Sequence, residues 1–270
     1  MSAQIYLKLA GGSRVALRTP EPGYAVSVAL GLHSTRVRPA GLVTFDDATT
    51  ARSVSFSFLC DATTTSALQT FYDTTARAKD SYLILPARSG FYPFGPDKGD
   101  GGEFKVHIIG FTPEAVLSEP YKWFRINLSL AGISFPTHAL PTAIPEGDFS
   151  IGTCTQLQFP YEQPGTELIY SVGSAVTRTG IPYSVAKVSD SQLTTLTLEC
   201  NTSNAAKLLD YLIGKVRAGT VALGCPANSY LFGAKVGSGS INCKMTNEII
   251  TVTHDSPDSF TFKLTFLRTA

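Results

Sequence analysis

The chain has 270 residues, 43% of them hydrophobic and only 16% charged, with a net charge of +1. That length suits two domains of about 130 residues better than one, and the low charge predicts a surface covered by Ser, Thr and Gly or by neighbouring subunits. A nearly neutral chain without runs of like charge excludes nucleic-acid binding through a basic face, which needs clustered Lys and Arg.

The amino-terminal segment MSAQIYLKLAGGSR has no apolar stretch of signal-peptide length. No run of about 18 apolar residues predicts a membrane span. The expectation is a soluble protein made in the cytoplasm. YAVSVALGL (24–32) is strand-like. Val54, Phe56 and Phe58 then alternate with serine, the period of a half-buried strand. DATTTS (61–66) offers side-chain oxygens that cap a helix start, and Leu68, Phe71, Tyr72 and Ala76 share one helical face. Arg77 and Lys79 near its end suit the helix dipole. A short strand stops at Pro86 and leads to a Gly-rich loop, GPDKGDGGEF (95–104). Its Asp97, Asp100 and Glu103 lack the spacing of a calcium loop. EFKVHIIGFT (103–112) and WFRINLSLAG (123–132) are alternating strands, the second opened by Trp123. Pro136, Pro141 and Pro145 stiffen the connection that follows, which places a boundary near residue 138.

Beyond that boundary the text recurs at an offset of about 140 positions. Residues 53–89 align without gaps on 193–229, with identities at Cys60/Cys200, Leu68/Leu208, Arg77/Arg217, Ala78/Ala218, Leu83/Leu223, Pro86/Pro226, Ala87/Ala227 and Ser89/Ser229. Leu196 and Leu198 repeat the alternation, NTSN (201–204) the cap, and Leu208, Tyr211, Leu212 and Val216 the helical face. FGAKVGSGSI (232–241) is a second Gly-rich loop, with Phe232 and Gly233 standing against Phe94 and Gly95. INCKMTNEIITVTHD (241–255) and FTFKLTFLRT (260–269) close the copy, and Phe124, Ile126 and Leu128 correspond to Phe262, Leu264 and Phe266. The expectation is a mainly β (α+β) chain of two tandem units, 1–138 and 139–270, each with one flanking α-helix.

Catalytic signatures are missing: there is no Gly-x-Gly-x-x-Gly, P-loop, Gly-x-Ser-x-Gly or His-Glu-x-x-His. His33, His107, His138 and His254 are scattered, and His107, inside an apolar strand, is expected to be half-buried and satisfied. Cysteines 60, 154, 200, 225 and 243 form no Cys-x-x-Cys pair and are expected as packed thiols. The Asn201 sequon falls in a helix cap. No catalytic, cofactor or metal residue is assigned, and no enzyme activity is expected.

A β-rich unit with one helix leaves open sheet edges. Fusing two units pairs one edge internally, and a closed ring of chains satisfies the rest. Three chains would give six units. Phe94 and Phe232, kept in both loops, and Trp123 are the expected subunit contacts.

The order of strands, the helix DATTTSALQTFYDTTARAK, a long loop and the strands KVHIIGFT and WFRINLSLAG resembles the tail-tube fold of long-tailed bacteriophages, shared by distal-tail and baseplate components. The likeness covers residues 24–132 and 150–270. It implies β-sandwich or barrel-like units and a homotrimeric ring of pseudo-sixfold symmetry in the virion tail. Such a ring contacts other tail or baseplate proteins and lets DNA pass as transient cargo. Channels in that family are usually acidic, whereas this chain is nearly neutral. The alternative is a two-domain β-sandwich that binds carbohydrate at a host surface, with SGFYPFGPD (89–97) as its aromatic patch.

Overall fold

The computed structural model describes residues 4–10, 12–37, 41–46, 50–73, 80–87, 89–98, 101–117, 123–136, 138–160, 164–176, 182–214, 219–232, 234–236 and 239–269. Of 32–37, 41–46, 98, 117, 168–176, 182–191, 234 and 236 it gives the backbone alone. The expected helix ends with Ala76, Arg77, Ala78, Lys79, Val216, Arg217 and Ala218, the side chain of His33, and the loop residues Asp100 and Gly233 lie outside the described residues.

The protein is mainly β. The first half of the chain forms β1 (Ile5–Leu9), β2 (Arg14–Leu17), β3 (Ala25–Ala29), β4 (Leu32–Val37), β5 (Gly41–Asp46), β6 (Ala51–Asp61), α1 (Ala62–Phe71), β7 (Ser81–Leu85), a 3-10 turn at Pro96–Lys98, β8 (Gly102–Leu117) and β9 (Trp123–Ser134). The second forms β10 (Phe149–Ile151), β11 (Cys154–Leu157), β12 (Gly165–Val176), β13 (Pro182–Cys200), α2 (Thr202–Gly214), β14 (Thr220–Cys225), β15 (Ser229–Leu231), β16 (Ala234–Val236), β17 (Gly239–Met245), β18 (Ile249–Ser256) and β19 (Ser259–Arg268). Between Ser134 and Phe149 the described residues form no strand or helix.

Strand pairs of the first half recur in the second with their register kept. Val26–Val54 of β3 and β6 is matched by Thr166–Thr194 of β12 and β13. The hairpin pair Leu32–Asp46 is matched by Val172–Ala186. Cys60–Phe124 of β6 and β9 corresponds to Cys200–Phe260 of β13 and β19, so Phe124, Ile126 and Leu128 stand where Phe260, Phe262 and Leu264 do, two positions from the correspondence expected from sequence. Leu83–Phe104 of β7 and β8 corresponds to Leu223–Ile241 of β14 and β17. The single long β8 has two counterparts: INCKMTNEIITVTHD breaks after Met245, so β17 pairs with β14 while β18 pairs with β19. Even the irregularity of β8 between Ala115 and Leu117 recurs in β18 between His254 and Ser256.

One antiparallel sheet of 15 strands runs through both halves, crossing the boundary where β18 pairs with β3. Its inward face follows the period of two: Val54, Phe56, Phe58 and Cys60 are buried, and Ser53, Ser55 and Ser57 face out. The helices cover the inward face through Leu68 and Phe71 of α1 and Leu208 and Leu212 of α2. Buried residues of both halves form one continuous apolar cluster.

Both helix starts are capped as their sequences predict. Asn201 Oδ1 accepts the Asn204 N–H at 3.0 Å. Asp61 Oδ1 accepts the Thr64 N–H at 2.7 Å, and that hydrogen bond is the main cause holding the Asp61 carboxyl below the usual carboxylate range. Its folded pKa is depressed, so the contribution is present at neutral pH and is lost as pH falls through the folded value. Asp61→Ala is expected to destabilise the protein by about 1 kcal/mol in urea unfolding at neutral pH; an unchanged midpoint would contradict this account of the cap.

Candidate functional site

The region most elaborately built is the seam where the second half meets the first. On the sheet, Thr251 lies opposite Ser27 and Val252 opposite Val26. The His254 N–H donates to Tyr24 O, the Gly23 N–H to His254 O, and the Leu30 N–H to Glu248 O. Since successive strand residues turn their polar groups to opposite sides, Ile250 and Val252 also face β3. Beside this ladder is an aromatic cluster from both halves. The His254 ring centroid is 5.1 Å from Tyr24, 5.6 Å from Tyr92 and 4.8 Å from Phe260.

Off the sheet, the loop carrying Phe94 and the 3-10 turn packs on α2. Gly95 has φ +100, and a Cβ there would stand 2.7 Å from Leu209 Cδ2, so glycine serves both the turn and the close approach. A buried ion pair holds the loop in shape: Arg52 Nη1 donates to Asp97 Oδ1 at 2.8 Å and to Phe94 O at 2.9 Å. Removing one partner of such a pair typically costs about 3–5 kcal/mol, because the other charge stays buried. The connection between the halves is bolted to the start of α2. Asn204 accepts the Ile144 N–H at 3.1 Å and donates to Ile144 O and Glu146 Oε2, while Glu146 Oε1 accepts the Asn201 N–H.

The residues singled out from sequence fall differently. Phe94 and Phe232 are 0% and 1% exposed, so both rings pack within the chain. Phe94 sits against Phe104 and Phe135, and the 3-10 turn that follows it packs on α2 of the same chain. Trp123 is half-buried, with the Arg18 guanidinium 5.9 Å from its ring. His107 is exposed, not half-buried, because its part of β8 turns it to the outer face; its Nε2 lies 2.9 Å from Asp80 Oδ1. Hydrogen bonds from Lys105 and His107 hold the Asp80 carboxyl below its usual range. Cys60, Cys200, Cys225 and Cys243 are buried free thiols and Cys154 is half-buried. Burial pushes Cys60 and Cys225 up to about 11 and Cys243 up to about 12, which leaves them unreactive at neutral pH.

Besides β2 and β11 at the ends of the strand path, two further edges are open among the described strands. The outer side of β8 beyond Val106 pairs with no described strand, nor does the outer side of β12. The outward face between them is rich in hydroxyls that bond one another across strands: Ser55 to Ser129 at 2.8 Å, Ser57 to Asn127 at 2.7 Å and Thr195 to Thr265 at 3.2 Å. Thr197, Thr251, Thr253 and Thr261 line a shallow hollow on the same face. No helix among the described residues is long and apolar enough to cross a membrane. No protein-family model matches the chain, and no curated protein sequence does.

Sequence reading missed Arg52–Asp97, Asn204 and His254. Arg52 was visible as a charge at an inward position of an alternating strand, the one such signal. His254 Nε2 is buried without a hydrogen-bond partner, and burial holds the imidazole pKa below 6.5, Asp255 opposing more weakly. Facing it are Tyr24 and Tyr92 from the first half and Phe260 from the second. With the folded pKa depressed, the unfolded chain takes the proton first, so stability falls as pH drops below about 6.5. His254→Phe, which keeps the ring and removes the titration, is expected to lose less stability than the parent between neutral pH and about pH 5.5. Equal losses in chemical denaturation would contradict a neutral His254 at the seam.

Proposed function

We propose that this chain is a structural subunit of a ring of the tail-tube type found in long-tailed bacteriophages, built from two tandem units, 1–138 and 139–270. The observation that carries the reading is the β18–β3 join. Two halves with matching strand register meet edge to edge, head to tail, and leave one edge of each kind open at the ends. A head-to-tail contact repeated by rotation closes into a ring when the rotation divides a full turn, and three chains meet that condition if each join turns the next unit by one sixth. Three chains then supply six units around a channel, in the tail tube itself or in a baseplate or distal-tail ring. In that arrangement the outward face of Ser, Thr and Asn side chains is the surface we assign to the channel. Several of its hydroxyls are already bonded to neighbouring side chains, which suits a wall past which DNA slides as cargo. The role is structural rather than enzymatic.

The carbohydrate reading depends on the aromatic patch at 89–97. Phe91 and Phe94 are buried there, against Tyr24, Phe56 and Phe135, which leaves a sugar the half-buried Tyr92. No observation favours it over the ring.

Solution mass by light scattering over a concentration series, with negative-stain microscopy of the same samples, tests the proposal. The expected outcome is a species of three chains with a central hole. A monomer at every concentration would overturn it.

A further inference from the structure

We propose that copies of this chain join through the outer edge of β8 and the outer edge of β12, in the register that β18 and β3 hold inside the chain, and that this join is built weaker than the internal one. The inference rests on the ring reading and names its contact.

The register follows from the matched ladders. Thr112 pairs with Asn127 as Thr251 pairs with Lys263, so Gly110–Ala115 of β8 stands where Ile249–His254 stands in β18. Gly165–Ile169 of β12 stands where Ala25–Ala29 stands in β3. Thr112 therefore comes opposite Glu167 of the neighbouring copy, as Thr251 is opposite Ser27, and Pro113 comes opposite its Thr166. Burial agrees with a missing neighbour. Val252 and Val26 are 0% exposed and His254 7%, whereas their counterparts Pro113, Thr166 and Ala115 are all exposed. Their positions in the ladder are the same, but only the first set has the other half paired beside it.

Three differences weaken the second join. Val252 turns its N–H to β3, but its counterpart Pro113 has none, so one ladder hydrogen bond is lost. Leu209, which α2 sets against Gly95, and the buried Ala206 one turn before it are replaced on α1 by Gln69, which donates to Asp73 at 2.6 Å, and by exposed Ser66. The Arg52–Asp97 clamp that shapes the loop at Phe94 has Gln192 and Lys235 in its place beside Phe232. All three differences favour the separated state. Chains then part from one another while the halves of each chain stay together, so assembly responds to concentration.

The Thr112→Cys/Glu167→Cys variant tests the register, because opposed residues between ladder hydrogen bonds have the Cα spacing a disulfide needs. Mild oxidation is expected to give two- and three-chain products on a non-reducing denaturing gel, with none from either single variant or the parent. The weakness is tested by Pro113→Val/Ser66→Ala/Gln69→Leu, which is expected to lower the assembly midpoint on the order of tenfold in concentration. Rings that form without the 112–167 link would overturn the register alone. Linked rings with an unchanged midpoint in the triple variant would overturn the weakness. Chains that stay monomeric at every concentration would overturn the ring reading and this contact with it.

Discussion

A strand at the margin of a sheet presents a row of N–H and C=O groups that must find partners in water, in another strand or under a cover. The architecture of this chain depends on how that demand is met. Inside the chain it is met by pairing β18 with β3, which turns two sets of strands into one sheet. Everything packed beside that join supports it. Asn204 and Glu146 fix the connection, Gly95 lets the loop approach α2, and the Arg52–Asp97 pair holds the loop's shape. The aromatic cluster around His254 fills the space above the ladder.

The seam also shows how a chain with matching ladders in its two halves can divide labour between like contacts. Matching ladders mean that each half presents a β18-like edge and a β3-like edge, yet only one pair of these meets within a chain. Selection can therefore act on one join without touching the other. The internal join has an apolar helix face and a buried ion pair. At the open edges a proline and a polar helix face stand in the same places, devices that also keep a bare edge from pairing indiscriminately. In the proposed ring this asymmetry makes the chain the permanent unit and the ring the conditional one.

Much of the local structure was legible because it is written in short periods. The serine alternation around Phe56 and Phe58, the cap at Asp61 and the helical face through Leu68 and Phe71 all formed as their spacing predicts. The likeness of the two halves was readable from Cys60/Cys200 through Ser89/Ser229, where helix and flanking strands constrain most positions. Outside that window the chain keeps its register while changing its side chains, as at Val26 and Thr166, because a ladder is made by backbone groups that any residue but proline supplies. The seam was illegible for a related reason. Arg52 and Asp97 are 45 positions apart, and His254 meets Tyr24 across the whole chain. Phe94 and Phe232 are both buried within the chain, which an aromatic kept in two loops does not by itself say.

Amide hydrogen exchange at low and high protein concentration tests the central claim most directly, because it reads the edge groups themselves. The amides of Val26, Val28, Ile250 and Val252 belong to the internal join and should be protected at every concentration. Those of Phe111 and Ala115 on β8 and of Thr166 and Leu168 on β12 should exchange freely in dilute solution and gain protection together as the concentration rises. Free exchange of the second set at all concentrations, or its full protection in dilute monomer, would contradict the account.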